Sequence, residues 1–221
     1  MVISMNSQNA RINMVKQQLR TGDVLNERIL SLYDKLLRAD FVPESMRDFA
    51  YSDMQIALPY NERMFTPLEE GIILQSLKLQ GTETVLEVGT GSGFLTAMLS
   101  RLAKKVISVD YYADFTQAAS GKLAKHRCDN VELYTGDACR GWLDKAPYDV
   151  VILSGAVEEI TELQRLQVLP GGKLVAIVGK EPVMQCLMLS LDHNENWQES
   201  LLFETSIPPL IDKLKPKEFV F

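Results

Sequence analysis

The chain has 221 residues, 46% hydrophobic and 24% charged, enough to bury a substantial core within one larger domain. Its 29 acidic against 23 basic residues give a formal charge of −6, which argues against a general nucleic-acid binder, since such proteins carry a basic face. No apolar stretch approaches the roughly 20 residues that span a bilayer. The first residues lack the charged start and long apolar centre of a signal peptide, and 3 widely spaced cysteines without a C-x-x-C pair read as reduced thiols of a cytoplasmic protein.

In chain order, Ile12, Val15 and Leu19 share a helical face, and Gly22 is placed to end that helix. Asn26 caps a second helix carrying Ile29, Leu30, Tyr33, Leu36 and Leu37, and Pro43 opens a shorter segment through Phe49. Residues 51–65 read as irregular, with Pro59 and Tyr60 marking a loop. Thr66-Pro67-Leu68-Glu69 is a T-x-x-E capping box with proline at the first helical position. A helix therefore runs from Thr66 to Leu79, and Gly81 breaks it.

The most informative stretch follows. Val85, Leu86 and Val88 have the composition of a buried strand, and Gly89, Gly91 and Gly93 form a turn whose missing Cβ atoms let the backbone approach a ligand. Phe94, Leu95, Ala97, Met98, Leu99 and Leu102 take up helical spacing, so the turn ends in a helix N-terminus suited to a polar ligand. A second strand, Val106–Val109, ends in Asp110, and a third, Val131–Tyr134, leads into Gly136-Asp137. A fourth, Tyr148–Leu153, ends at Ser154-Gly155-Ala156. The turn Leu169-Pro170-Gly171-Gly172 feeds a fifth strand, Lys173–Val178. Two more follow at Gln185–Asp192 and Leu201–Ile207, with an exposed turn at 194–199 between them and Pro208-Pro209 stopping the last. Alternating strands and helices imply a parallel sheet.

Spacing narrows the ligand. A dinucleotide fingerprint needs glycine at 94 or 96, which hold Phe94 and Thr96, and no Gly-Lys-Ser/Thr follows to make a P-loop. What remains is E-x-G-x-G-x-G with Glu87 at its head. Asp110 is placed to accept two ribose hydroxyls, and Asp137 to meet an adenine amino group. Read alone, Glu87 could be a core acid paired with a lysine, and Asp110 and Asp137 ordinary turn acids. The only histidines are His126 and His193, so a His-rich metal site is excluded.

Acid, glycines, acid and acid in this order resemble the class I S-adenosylmethionine-dependent methyltransferases. The resemblance implies a Rossmann-like fold, with a mostly parallel seven-stranded sheet, helices on both faces and a helical N-terminal extension. Residues 1–221 would form one domain, 1–65 the extension and loop, and 66–221 the core. It also implies S-adenosylmethionine as cofactor and S-adenosylhomocysteine as product. The residues expected to hold them are Glu87, Gly89, Thr90, Gly91, Ser92, Gly93, Asp110, Tyr111, Gly136, Asp137, Ala138 and Ser154.

Further segments narrow the family. Met14-Val15-Lys16-Gln17-Gln18-Leu19, Phe41-Val42-Pro43-Glu44, Ala50-Tyr51-Ser52-Asp53, Gly141-Trp142, Ala146-Pro147-Tyr148-Asp149 and Leu169-Pro170-Gly171-Gly172 resemble the protein-L-isoaspartate O-methyltransferases, from about Asn9 to Pro209. That family implies methyl transfer to the α-carboxylate of L-isoaspartyl residues in damaged proteins or peptides, for repair. No nucleic acid or membrane partner is implied, and the oligomeric state stays open. One loop departs. The family reads Q-T-I-S-Q-P, with the serine its proposed catalytic hydroxyl; aligning on Pro67 gives Glu62-Arg63-Met64-Phe65-Thr66-Pro67 here, with Phe65 in the serine's place.

Two residues are candidates to act in its stead. Thr66 supplies a hydroxyl, although its capping box gives it a plainer role. Arg63 is expected to face the pocket and pair with an anionic acceptor; otherwise it lies on a solvated loop, bridging Glu62 or Glu69. Methyl transfer from a sulfonium is an in-line displacement whose leaving group needs no proton, and a carboxylate is already ionised at neutral pH, so no base is required. Ser154-Gly155-Ala156-Val157, where amino-group methyltransferases often place D/N-P-P-Y/F, disfavours N-methylation of bases or glutamine. The alternatives are a methyltransferase for another carboxylate or small molecule and a catalytically silent cofactor-binding protein.

Overall fold

The structure is a computed structural model describing residues 5–212; Met1–Ser4, at the start read above for a signal peptide, lie outside the described residues. Helix α1 (Met5–Met14) runs on into a π-helical turn, Val15–Leu19. Gly22 does not supply the left-handed residue beyond it: that position falls to Asp23, with φ 64°. Glycine at 22 instead answers to space, because a Cβ there would collide with the Leu68 side chain. Helix α2 (Glu27–Lys35) starts as expected, the Asn26 side chain accepting from the N–H groups of Arg28 and Ile29. Leu36 and Leu37 follow the helix rather than continue it, Leu36 being extended at φ −111° and ψ 105°.

The stretch 51–65 carries more order than its sequence suggests. Strand β1 (Ile56–Ala57) pairs antiparallel with β2 (Arg63–Met64) around a turn in which Tyr60 and Asn61 both have positive φ, 60° and 63°. Helix α3 (Pro67–Leu77) begins at the expected capping box. Glu69 N–H donates to Thr66 Oγ1 at 3.2 Å, and Thr66 N–H donates to the Glu69 carboxylate at 2.7 Å.

Beyond α3 the chain alternates: β3 (Thr84–Val88), α4 (Phe94–Ser100), β4 (Lys105–Asp110), α5 (Ala113–Lys125), β5 (Val131–Thr135), β6 (Tyr148–Val157), α6 (Glu162–Arg165), β7 (Val168–Lys180), β8 (Val183–Leu191) and β9 (Trp197–Thr205). The strands form one sheet in the order β5-β4-β3-β6-β7-β8-β9, the first five mutually parallel and β8 antiparallel to both neighbours. Leu169–Gly172 is not a turn before the fifth parallel strand but an irregularity inside it. The register slips between the pairs Tyr148↔Val168 and Val150↔Lys173, with Gly171 at φ 85°. Past β9 the tail returns to β6: Ala156 N–H donates to Pro208 O, and Leu210 N–H to Ala156 O.

Strand β3 divides its side chains between two cores, Val85 on the side of α2–α5 and Leu86 and Val88 on the other. The second face is covered by loops around Ala138–Cys139, Trp142 and Ile160, by the one-turn α6 and by Leu210 of the tail. The N-terminal extension packs on the first face, where Phe41 meets Phe94 edge-on at 5.3 Å and Tyr33 lies 6.1 Å from it. Beneath them, fully buried Arg38 pairs with Glu70 at 3.1 Å and donates to the carbonyls of Ala50 (2.8 Å) and Phe65 (2.5 Å). Removing one partner of a buried pair strands the other charge and the carbonyls. Arg38→Met is therefore expected to cost about 3–5 kcal/mol in urea unfolding; a loss near zero would show the guanidinium to be dispensable.

Candidate active site

In an open parallel sheet, the ends of two strands whose connections leave in opposite directions enclose a crevice. Here that point lies between β3 and β6, and an open cleft lies there between the glycine turn, the loop before α3 and the tail after β9. The glycine turn forms its floor. Gly89, Gly91 and Gly93 have φ of 100°, 49° and 83°, and Gly89 N–H donates to Val109 O at 2.8 Å, tying the turn to β4. Gly93 precedes α4 with Ala119 packed against it, which explains the third glycine by close packing and leaves it outside the lining.

Asp110, at the end of β4, has its two carboxylate oxygens fixed by separate backbone donors, Gly91 N–H at 2.8 Å and Tyr112 N–H at 2.9 Å. These bonds lower its pKa, but burial raises it more, so the carboxyl sits above its ordinary value. Glu87 is wholly buried. One oxygen accepts from Thr96 at 2.5 Å and from Ser108 at 2.6 Å, and Thr90 Oγ1 lies 2.7 Å from Ser108 Oγ. With the Ser108 proton given to Glu87, Thr90 donates to Ser108, so three hydroxyls line up behind one carboxylate oxygen. The other oxygen, Oε1, is buried without a hydrogen-bond partner, as is Ser154 Oγ, and both residues line the cleft. Two unmet polar atoms facing one cavity fit a ligand that brings donors of its own. Burial pushes the Glu87 carboxyl up to about 7, against the pull of the two hydroxyls.

A model of the protein-L-isoaspartate(D-aspartate) O-methyltransferase family matches residues 8–214. The chain belongs to that family. A protein-L-isoaspartate O-methyltransferase of Brucella anthropi is 31% identical over 207 residues, 93% of this chain and 95% of the relative. One from Rhodopseudomonas palustris is 34% identical over 79% of this chain and 80% of its own. Among solved structures, a protein-L-isoaspartate O-methyltransferase superposes with TM-score 0.77 at 21% identity, covering 92% of this chain and 67% of that one. A Plasmodium falciparum protein described under the same activity, in complex with S-adenosyl-L-homocysteine, gives 0.76 at 13% identity, over 90% and 97% of the two chains. These two likenesses carry the fold.

Of the residues the sequence nominates, Arg63, Glu87, Gly89, Thr90, Gly91, Ser92, Asp110, Tyr111, Gly136, Ala138 and Ser154 line the one cleft. Thr66 and Asp137, with Gly93, do not. The Thr66 hydroxyl is spent on the start of α3, and the Asp137 carboxylate accepts from Cys139 N–H at 3.1 Å within its own turn. Phe65, at the position aligned above with the expected serine, is buried and lines the cleft. Arg63 is exposed and bridges neither Glu62 nor Glu69.

Sequence reading missed several lining residues. Glu62, Tyr112 and Phe115 form one wall, and Pro209, Leu210 and Ile211 close the mouth from the tail. The tail is anchored by Arg140, which grips Asp212 through Nε and a terminal nitrogen, both at 3.1 Å. An apolar Pro-Pro-Leu-Ile run after the last strand was the available signal of burial.

The Glu87 carboxyl titrates higher in the folded chain than in the unfolded one, whose ordinary value is 4.5. Its contribution to stability is therefore complete below that value and is lost as pH rises towards about 7. Glu87→Gln should remove about 3 kcal/mol of that decline, so the variant's stability falls less than the wild type's across the same window. Parallel declines in denaturation profiles would place the titration elsewhere.

Proposed function

We propose that the chain transfers a methyl group from S-adenosylmethionine to the α-carboxylate of L-isoaspartyl residues in damaged proteins or peptides, as a cytoplasmic repair enzyme. The observation that carries this reading is the cleft itself: a glycine turn, Glu87 and Asp110 brought to one crevice in a chain that matches the family from residue 8 to 214. Residues 1–221 act as one methyltransferase domain, supported by a hydrophobic core that runs from Met14 in the extension to Ile207 beyond the sheet.

The cofactor would be held by the Gly89–Ser92 backbone, with Asp110 and Tyr111 available to its ribose hydroxyls, Gly136 and Ala138 to its adenine, and Glu87 and Ser154 offering their unmet oxygens. Bound there, S-adenosylmethionine supplies a methyl group on a sulfonium, whose departure needs no proton. The protein's share is placement and exclusion of water. Neither histidine lines the cleft: His126 lies 3.0 Å from Asp40 and stacks on Phe41, and His193 packs over Gly171. A carboxylate acceptor is already ionised at neutral pH and needs no base. Arg63, at the cleft and free of ion pairs among the described residues, holds the acceptor carboxylate. Phe65 walls the site in place of the family's serine.

A second reading draws on Phe65. A phenyl ring where a hydroxyl would orient an isoaspartyl group suits a different carboxylate, or a protein that binds the cofactor without turnover. A methyl-transfer assay on an isoaspartyl peptide beside its aspartyl twin separates these. The first reading predicts label on the isoaspartyl peptide alone, in an ester that releases methanol at alkaline pH, and a base-stable product would overturn it. Arg63→Gln should lower turnover at least about tenfold with cofactor affinity unchanged, the loss expected for a charge-assisted hydrogen bond. Equal turnover would return Arg63 to the surface.

A further inference from the structure

The two backbone donors that fix Asp110, Gly91 N–H on one oxygen and Tyr112 N–H on the other, are both touched by one short element, the β1–β2 hairpin. The root of that hairpin is buried at Ile56 and Met64, which pair across it. Its turn is closed by Leu58 N–H donating to Glu62 O at 2.8 Å and Glu62 N–H donating to Pro59 O at 3.1 Å. From this turn Leu58 reaches the first donor: a Cβ on Gly91 would stand 3.4 Å from Leu58 Cδ1, an ordinary contact. Tyr60 reaches the second. Its ring lies flat on Tyr112, with centroids 3.9 Å apart and planes 5° apart, and Phe115 meets both rings edge-on at 5.8 Å. The Tyr60 hydroxyl donates to Asp114 in the first turn of α5.

Tyrosine is an unexpected residue at this place. Position 60 has φ 60° and ψ 23°, the left-handed region that disfavours a bulky side chain and that asparagine or glycine enters more readily. The ring is exposed and does not line the cleft, so neither core burial nor ligand contact accounts for it. What it does touch, Tyr112, Asp114 and Phe115, is the chain that leaves Asp110. We propose that Tyr60 is a positioning residue for the cofactor: stacked on Tyr112, it holds the N–H that fixes one Asp110 oxygen, while Leu58 from the same turn packs on Gly91, which fixes the other. The proposal rests on the cofactor reading above, in which Asp110 meets the ribose hydroxyls. A carboxylate already held in place has no ordering left to lose when the ligand arrives, and binding is tighter for it. Retention of the cofactor thus depends on a side chain outside the cleft.

The test is calorimetric titration of S-adenosylhomocysteine, which cannot turn over, into wild type, Tyr60→Phe and Tyr60→Asn, with melting curves to confirm that the variants fold. Asparagine tolerates the left-handed region, so Tyr60→Asn removes the ring and leaves the turn its backbone. That variant should bind about three- to tenfold more weakly, the size of one aromatic pair. Tyr60→Phe keeps the stack and loses only the hydroxyl, and its affinity should stay within about twofold of wild type. A purely structural role would weaken binding whether or not Asp110 is present, so the same substitution is repeated in an Asp110→Ala background. If Tyr60 acts through Asp110, adding Tyr60→Asn there should cost less than about twofold, because coupled residues do not add. The full loss repeated in that background, an equal loss in Tyr60→Phe, or unchanged affinity in Tyr60→Asn would overturn the proposal. Failure of wild type to bind the ligand would instead overturn the cofactor reading beneath it.

Discussion

One buried guanidinium holds the N-terminal extension against the catalytic half of the fold. Arg38 lies at the end of the segment after α2, with no exposed surface, and reaches Glu70 on α3, Ala50 in the connecting loop and Phe65 at the wall of the cleft. It also faces the ring of Phe94, the first residue of α4, at 5.7 Å. Each carbonyl it satisfies belongs to non-repetitive chain that has no ladder of its own, so without it buried oxygens would go unpaired. The value of such a pair lies in choosing one arrangement rather than in net stability, since its desolvation offsets much of its attraction. That choice sets where Phe65 sits, where α3 begins and how α4 presents its N-terminus to the glycine turn.

The same loop separates backbone from side chain. Arg38 holds the Phe65 carbonyl and not its ring, so this position can vary in side chain without disturbing the frame. The ring then takes up space at the cleft while α3 starts unchanged at Thr66. Lys122 does related work on the other side, donating to Phe41 O at 2.7 Å and Ser92 O at 3.2 Å, so that the extension and the glycine turn share a cation. Burial lowers the Lys122 pKa, the mark of an ammonium drawn inside to bind carbonyls.

The elements easiest to read in the sequence were those set by local rules. The T-x-x-E box at Thr66, the Asn26 cap and the apolar runs of β3, β4 and β6 each carry their own signal, and Glu87 and Asp110 could be placed because strand ends follow from those runs. What could not be read depends on contacts distant in sequence. Gly22 looked like a helix terminator, yet it is glycine because Leu68 lies against it. The β1–β2 ladder has two residues a side, too few for an alternating pattern. Glu62 carried no signal as a wall residue, because its position depends on Tyr60 stacking on Tyr112 from another element. Asp137 shows an ambiguity of the opposite kind: an acid after a strand suits a ligand, and it is also how a turn caps its own N–H groups, as Asp137 does for Cys139.

The tail over the cleft has a thermodynamic reading. Two backbone hydrogen bonds to Ala156, one ion pair at Arg140 with 42% of its side chain exposed, and the partly buried Leu210 are among the contacts that hold Pro208–Asp212 down. A Cβ on Gly155 would stand 2.8 Å from Leu210 Cδ2, so the contact is close but small. Bonds of these kinds together amount to about 3–5 kcal/mol, well below the global stability of a typical domain. Lifting the tail with the sheet intact would then cost less than unfolding the domain. The crevice can thus exchange its contents by local fluctuation, at a frequency set by a few residues of the tail.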